Sequence, residues 1–409
     1  MSVLVAIVGL ALLILVHEAG HFLTAIAVGV RPRSFYIGFP IPALVKTQRN
    51  GIEYGIGAIP LGGLVKIPGM HRPAPTDLDL YFGGVQYEAP ALVGPLERMK
   101  RLLEQGRLGD ARASLPELDA AVREARLAGP TSRAADRGLR ELHDALGPYA
   151  YWRQRTWKRI AVIFAGPGAN ILAALVLLTA VYMIGVPNEA TQTVDRVSRG
   201  TPAAAMGLRR GDEIVAVNRQ LTSSYRDVSR LIRASHGKPV LLSVLRHGRY
   251  VELGPRRTMR IQSHWALGFL VKTHTRRYGF AAATARALSS MWTVTKQLGT
   301  VATHIARRSN RKQISTPIGV VKASSEVART SIVEYVGVLA LISLSLALLN
   351  LLPLLPLDGG HIAFSIIEGI RGRAVGRAVY ERVSAIGIAI VLLLLFVGLS
   401  NDIGRLSGG

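Results

Sequence analysis

The chain has 409 residues, 49% of them hydrophobic and 19% charged, and its 50 Lys and Arg against 26 Asp and Glu leave a formal charge of +24. It contains no cysteine, which excludes disulfide scaffolds, cysteine-ligated zinc or iron–sulfur sites and thiol nucleophiles. A chain this apolar is neither disordered nor a coat for nucleic acid; with bilayer-length stretches present, a lipid bilayer with anionic headgroups is the simpler partner and no nucleic acid is expected.

About 20 mostly apolar residues are needed to cross a hydrocarbon core about 30 Å thick. The first such stretch is residues 3–28. It has no basic region ahead of it and exceeds a signal-peptide core, so it is expected to stay as a helix. It reads VHEAGHFL, which places His17 and His21 four residues apart on one helix face with Glu18 beside them. This is the H-E-x-x-H pattern, in which two imidazoles bind a metal ion and the glutamate takes a proton from water. Ionisable groups inside a span are costly, so three within five residues point to a site. The plainer alternative is a polar cluster that only holds helices together.

Residues 43–68 read as a β-hairpin turning at Asn50-Gly51, with Gly62 and Gly63 interrupting the returning strand. It is either an ordinary hairpin or an exposed edge beside the active site that holds an unwound substrate by strand addition. Residues 95–149 carry LERMKRLLEQ, LPELDAAVREARL and ADRGLRELHDAL, each with apolar residues at helical spacing. They predict a small helical bundle or hairpin, either solvated padding or a surface for a partner or autoregulation.

The second span is residues 160–186. Residues 191–253 contain GTPAAAMGLRRGDEIVAVNRQ followed by a helix and paired strands. The string is similar to bacterial PDZ domains, with Arg219 where many have glycine. Such a module captures a peptide ligand by strand addition or acts as a size filter. Residues 278–308 are apolar on one side but interrupted by Arg286, Lys296 and His304, and read as an amphipathic surface segment.

The third span, residues 332–357, ends in NLLPLLPLDGGH. Pro353 and Pro356 interrupt regular helix, and broken helix at membrane depth is tolerated only where protein or a water-filled cavity covers it. Asp358 is then the candidate third ligand that a catalytic metal site needs beside an open position. His361 is a rival, and Asp358 capping a following helix is the plain alternative. The fourth span is residues 386–399, extended back through Val379.

Orientation follows short basic flanks: Arg31 and Arg33, Arg153 to Arg159, and Arg371 to Arg382. All agree if both termini are extracytoplasmic and residues 31–158 cytoplasmic. The basic stretch 188–330 then lies outside, as long domains cross largely regardless of charge. His17, His21 and Asp358 fall at compatible depths toward the cytoplasmic side.

Taken together, HEAGH (17–21), GIGAIPLGGLVKIPG (55–69), FAGPGAN (164–170), ISTPIGVVKAS (314–324) and NLLPLLPLDGGH (350–361) resemble, in order, the motifs of the site-2 protease family of intramembrane zinc metalloproteases, closest to the regulator-of-sigma-E type. The resemblance implies one Zn2+ held by His17, His21 and Asp358, with Glu18 as general base. It implies supporting roles for Asn350 at the substrate or opened helix, for Asn170 in the core of the site, and for Gly62 and Gly63 in the membrane-associated hairpin. It also implies single-span membrane protein substrates, such as anti-sigma factors or remnant signal peptides, cut in the bacterial inner membrane. One PDZ domain where that type has two, and an insert the pattern does not require, are departures that bear on regulation.

The expected fold is therefore a polytopic α-helical membrane protein with four transmembrane helices, a membrane-associated β-hairpin, one extracytoplasmic PDZ domain (α+β) and a cytoplasmic helical insert. The expected segments are 1–30, 31–71 for the hairpin, 72–158 for the insert, 159–187, 188–256 for the PDZ domain, 257–330 for a linker with the amphipathic helix, 331–358 and 359–409. A metal transporter, or an adaptor whose PDZ domain does the work beside an inactive metal site, are the alternatives; no internal repeat of the transporter kind is visible. A single cysteine introduced into residues 95–149 is expected to resist an impermeant thiol reagent in intact cells. Labelling there would reverse the orientation, and the native lack of cysteine leaves no background.

Overall fold

The computed structural model of the protein describes residues 2–127, 129–261, 264–304 and 331–407. The chain divides into two compact units, Met1–Leu178 with Ala287–Gly409, and Thr179–Arg286.

Among the described residues, four helices are long and apolar enough to cross a membrane: Val3–Ala27, Thr156–Ile184, Ile332–Asn350 and Val379–Ser400. Lipid gives no hydrophobic gain between apolar helices, so polar bonds and close packing join them. The Tyr335 hydroxyl donates to the Val5 carbonyl at 2.7 Å, tying the third span to the first. Ser343 Oγ, fully buried, donates to the Asn170 carbonyl at 2.9 Å, tying the third to the second. Lys158 Nζ donates to the Val28 carbonyl at 2.7 Å, just past the end of the first helix.

The third span departs from expectation. Its helix stops at Asn350 instead of running to residue 357, residues 351–357 are irregular, and Asp358 opens a separate helix, Asp358–Arg371. Pro353 has no N–H to offer the Leu349 carbonyl, and its ring crowds that turn. Asp358 thus begins the next helix, but no side-chain hydrogen bond caps that helix. Its carboxylate sits at the positive end of a helix dipole and is free to point elsewhere.

The hairpin is longer than the sequence suggests. Strand β1 covers Ser34–Arg49 and β2 covers Ile52–Lys66. Asn50 and Gly51 join them at φ of 52° and 77°, the paired positive values of a tight hairpin turn. Both strands bend. Ser34 pairs with Glu53 on one side and Lys66 on the other, and Ile37 with Ile56 and Gly63. Residues 34–37 are therefore interior, and residues 63–66 form an outer edge. Phe22 of the first span packs on Phe35 and Tyr54, with ring centres 4.9 and 5.9 Å away, and so seats the sheet against the helix that carries the histidines.

The insert begins at Pro75, earlier than the periodic segments indicate, and among the described residues runs through six α-helices and one short 3-10 turn to Leu146. Its apolar stripes close on one core that includes Leu78, Phe82, Leu92, Met99, Leu118 and Leu146.

The second unit holds strands β3 (Val186–Val197), β4 (Glu213–Val217), β5 (Gln220–Leu221), β6 (Pro239–Arg246), β7 (Arg249–Arg257), β8 (Met259–Ile261), β9 (His264–Ala266) and β10 (Phe269–Arg276). The main sheet runs β10-β3-β4-β6-β7, with β5 on β4, and the helix Tyr225–Arg233 buries Val228 and Ile232 in its core. Because β10 pairs antiparallel with β3, the sheet extends past residue 256 into what reads in sequence as linker. Most of β10 is exposed, so it lacks the apolar alternation that marks a half-buried strand. The helix Phe280–His304 follows, and residues 305–330, with the ISTPIGVVKAS motif, lie outside the described residues.

The GLRRGD turn of this unit is held by Asp212, which is 1% exposed. It accepts from Arg246 Nε and Nη2, both at 2.7 Å, and from the Arg209 amide at 2.8 Å. Burial, the largest single influence, pushes its pKa up, but the bonds and charges of Arg246 and Arg209 together more than offset this and leave it below its ordinary 3.8. The stabilisation is therefore complete above that value and is lost as pH falls through the lowered folded value. Asp212→Asn is expected to destabilise this unit by about 3 kcal/mol at neutral pH, read as a lower thermal transition, with the gap to wild type closing in acid.

Candidate metal centre

His17 and His21 project from one face of the first span, and both are 7% exposed. Asp358 reaches them from the start of its helix. Its Oδ2 lies 3.2 Å from His17 Nε2 and 3.4 Å from His21 Nε2, and the two Nε2 atoms are 3.3 Å apart. The three atoms form a nearly equilateral triangle. His21 Nδ1 donates to the Val162 carbonyl at 2.8 Å, which puts that ring's proton on Nδ1 and leaves Nε2 as a lone pair facing the other two ligands. Asp358 Oδ2 is buried without a hydrogen-bond partner.

Three electron-rich atoms turned on one point in a low-dielectric setting repel unless a cation lies between them. Ligands about 2.0–2.1 Å from a tetrahedral ion such as zinc stand about 3.3–3.4 Å apart, which the triangle matches. Two neutral imidazoles and one carboxylate also suit that ion, and a three-ligand set leaves a fourth position for substrate or water. Among the described residues this is the one group of His, Asp and Glu with metal-binding spacing.

Asn170 lies behind His17. It is fully buried, with its side-chain nitrogen 3.4 Å from His17 Nδ1 and its Oδ1 without a partner. Exchanging the two amide atoms, which differ little in shape, lets Oδ1 accept from a protonated Nδ1 and leaves Nε2 free for metal. Both histidines then have the outer hydrogen bond that fixes ring orientation in metal sites.

The triangle opens onto a cavity of about 560 Å³ lined by Glu18, Asn350, Gly62, Gly63 and His361 as well as the three ligand candidates. Gly63 is there because space demands it: a Cβ would strike Glu18 Cγ. The outer edge of β2 can thus lie directly on the glutamate, and the Val65 amide is turned toward its carboxylate. Gly359 has the same kind of reason, since a Cβ would meet the Leu351 and Leu352 carbonyls of the irregular passage. His361 lines the cavity but stands outside the triangle, its Nδ1 2.8 Å from the Tyr380 hydroxyl. Sequence reasoning missed the Val162 carbonyl and Tyr380. A backbone acceptor leaves no side-chain signal, and Tyr380 shows none until the fourth span is packed.

Sequence comparison decides the family. The profile of peptidase family M50 matches residues 5–394. The chain belongs to peptidase family M50. It is 27% identical to the regulator of sigma-W protease RasP of Bacillus subtilis, over 99% of both chains. It is 29% identical to the zinc metalloprotease Rip1 of Mycobacterium tuberculosis, over 96% of this chain and 94% of that one. As an M50 peptidase it is a metalloendopeptidase, and this sets aside the transporter and inactive-adaptor alternatives.

For this M50 peptidase, Asp358→Ala is expected to empty the centre of metal after purification in detergent, by elemental analysis. Asn170→Ala is expected to keep a weakened site, with metal affinity down about 10–100-fold in chelator competition. Full metal retention by Asp358→Ala would move the third ligand elsewhere, with His361 next.

Proposed function

We propose that this peptidase is an intramembrane zinc endopeptidase that cuts single-span membrane proteins within or next to their spanning segment. The observation that carries this is the triangle of His17, His21 and Asp358 opening, beside Glu18, onto the outer edge of β2, which pairs with no further strand among the described residues. The three residues would hold the zinc ion. Bound there, zinc supplies Lewis acidity toward the scissile carbonyl and toward water.

The remaining steps belong to the chain. Glu18 accepts the proton of the attacking water and returns it to the leaving amine. A substrate that enters as a helix hides its carbonyls in intrahelical hydrogen bonds, so it has to be unwound first. Residues 63–65, on the outer edge of β2, can take the unwound strand by backbone pairing, with Gly63 allowing it close to Glu18. Asn350, at the end of the third helix, offers an amide to that strand across the cavity. Asn170 and the Val162 carbonyl keep the two imidazoles in the tautomer a metal needs.

The basic flanks support a cell-membrane location with the hairpin and insert cytoplasmic and the β-rich unit outside. That unit, with its GLRRGDEIVAVN string, reads as a PDZ module that binds a peptide or screens substrates by size. The name of the Bacillus relative ties that protein to sigma-factor control, and the family resemblance favours membrane-bound anti-sigma factors as substrates here, beside remnant signal peptides.

Glu18→Gln is expected to retain metal and to lower cleavage of a single-span reporter in detergent or proteoliposomes by about 10²–10⁴-fold. Cleavage at wild-type rate would mean a different base. Trapping with that variant, followed by mass spectrometry of the bound protein, would name the substrate.

A further inference from the structure

We propose that the helical insert is a working part of the substrate clamp, in which Glu141 and Asp144 are positioning residues that set the register of the β2 edge beside Glu18. This rests on the strand-addition reading above. A strand that must accept a partner along its open side cannot be covered there, so its position has to be set from its other side or from its end. Glycine at 62 and 63 removes the side chains that would otherwise lock its register.

The end of that strand is gripped by one helix. Lys66, the last residue of β2, pairs through Nζ with Glu141 of Gly129–Leu146. Its partner across the sheet end is the Arg33 amide, which donates to the Lys66 carbonyl at 2.8 Å. Arg33 is held by the same helix: its Nε lies 2.6 Å from Asp144 Oδ2, and its Nη2 donates to the Arg140 carbonyl at 3.4 Å. Glu141 and Asp144 are three apart, hence on one helix face, and they seize both chains of the sheet end together. The Asp144 side chain is only 10% exposed, so this pair is screened less than an open surface pair.

The chain beyond the strand is fastened to the segment that leaves the insert. The Tyr151 and Trp152 amides donate to the Pro68 and Gly69 carbonyls, each at 3.0 Å, and Trp152 Nε1 donates to the Ala145 carbonyl at 2.7 Å. The insert therefore holds the edge from the end that leaves the cavity. With side chains alternating along a strand, a slip that keeps the same face inward moves by two residues, and a bound substrate moves with it.

The test uses the full chain in detergent with a single-span reporter, mapping products by mass spectrometry and measuring kcat and KM. Glu141→Gln combined with Asp144→Asn is expected to add products displaced by two residues and to raise KM several-fold. Metal content should stay unchanged, and kcat at the original bond should stay close to wild type. The charge exchange of Lys66→Glu with Glu141→Lys is expected to restore a single cut, whereas Lys66→Glu alone scatters it. One unshifted cut with unchanged KM in the neutral double variant would overturn the proposal. Should that variant not fold, scatter persisting in the charge exchange would overturn it equally. Hydrogen exchange of the amides of residues 62–66 gives a readout independent of catalysis, and it is expected to quicken in the neutral variant. If the wild type cuts no reporter, the proteolytic reading fails while the exchange experiment still decides the anchor; unchanged exchange would then refute the anchor.

Discussion

The structure depends on three mutually repelling atoms held 3.2–3.4 Å apart inside an apolar helix bundle. Two imidazole lone pairs and a carboxylate oxygen gain nothing from one another there, and each has given up solvation to reach the point where they meet. A cation between them would turn that conflict into attraction. Much of the nearby architecture follows from bringing the third atom in and keeping the other two correctly turned.

Bringing in the carboxylate requires a break in regular structure. Pro353 ends the third helix at Asn350, a seven-residue irregular passage that also holds Pro356 crosses the gap, and Asp358 begins the next helix with its side chain uncommitted. The same break places Asn350 on the cavity wall. Holding the imidazoles is left to the second span, through one backbone carbonyl and one buried amide. In lipid such outer bonds exchange little with water, so they define ring tautomer firmly.

The open edge of the hairpin is a different kind of device. Its paired side joins the interior of the small sheet, its free side faces Glu18, and ion pairs with the insert hold its end. Exposed edges are a hazard in most proteins because they recruit other strands. Under the proposed function, that recruiting property is what a peptidase with helical substrates needs.

Much of this was legible in the residues. Four apolar stretches of bilayer length, His17 and His21 on one helix face and Asn50-Gly51 at a hairpin turn all express local periodicity or backbone preference, which a sequence carries directly. Asp358 stood out as an acidic residue closing an apolar run, with prolines just before it. The end of the third helix at Asn350, the strand β10 and the early start of β1 did not show, because a partner across space decides each of them. The same holds for the Val162 carbonyl at His21 and for the grip of Glu141 and Asp144 on the hairpin. From its sequence alone the chain determined which side chains could ligate a metal and which segments could enter lipid. Which of them meet, and at what spacing, was decided only by the tertiary structure, because contacts between residues 17 and 358, or 66 and 141, depend on packing that no local pattern encodes.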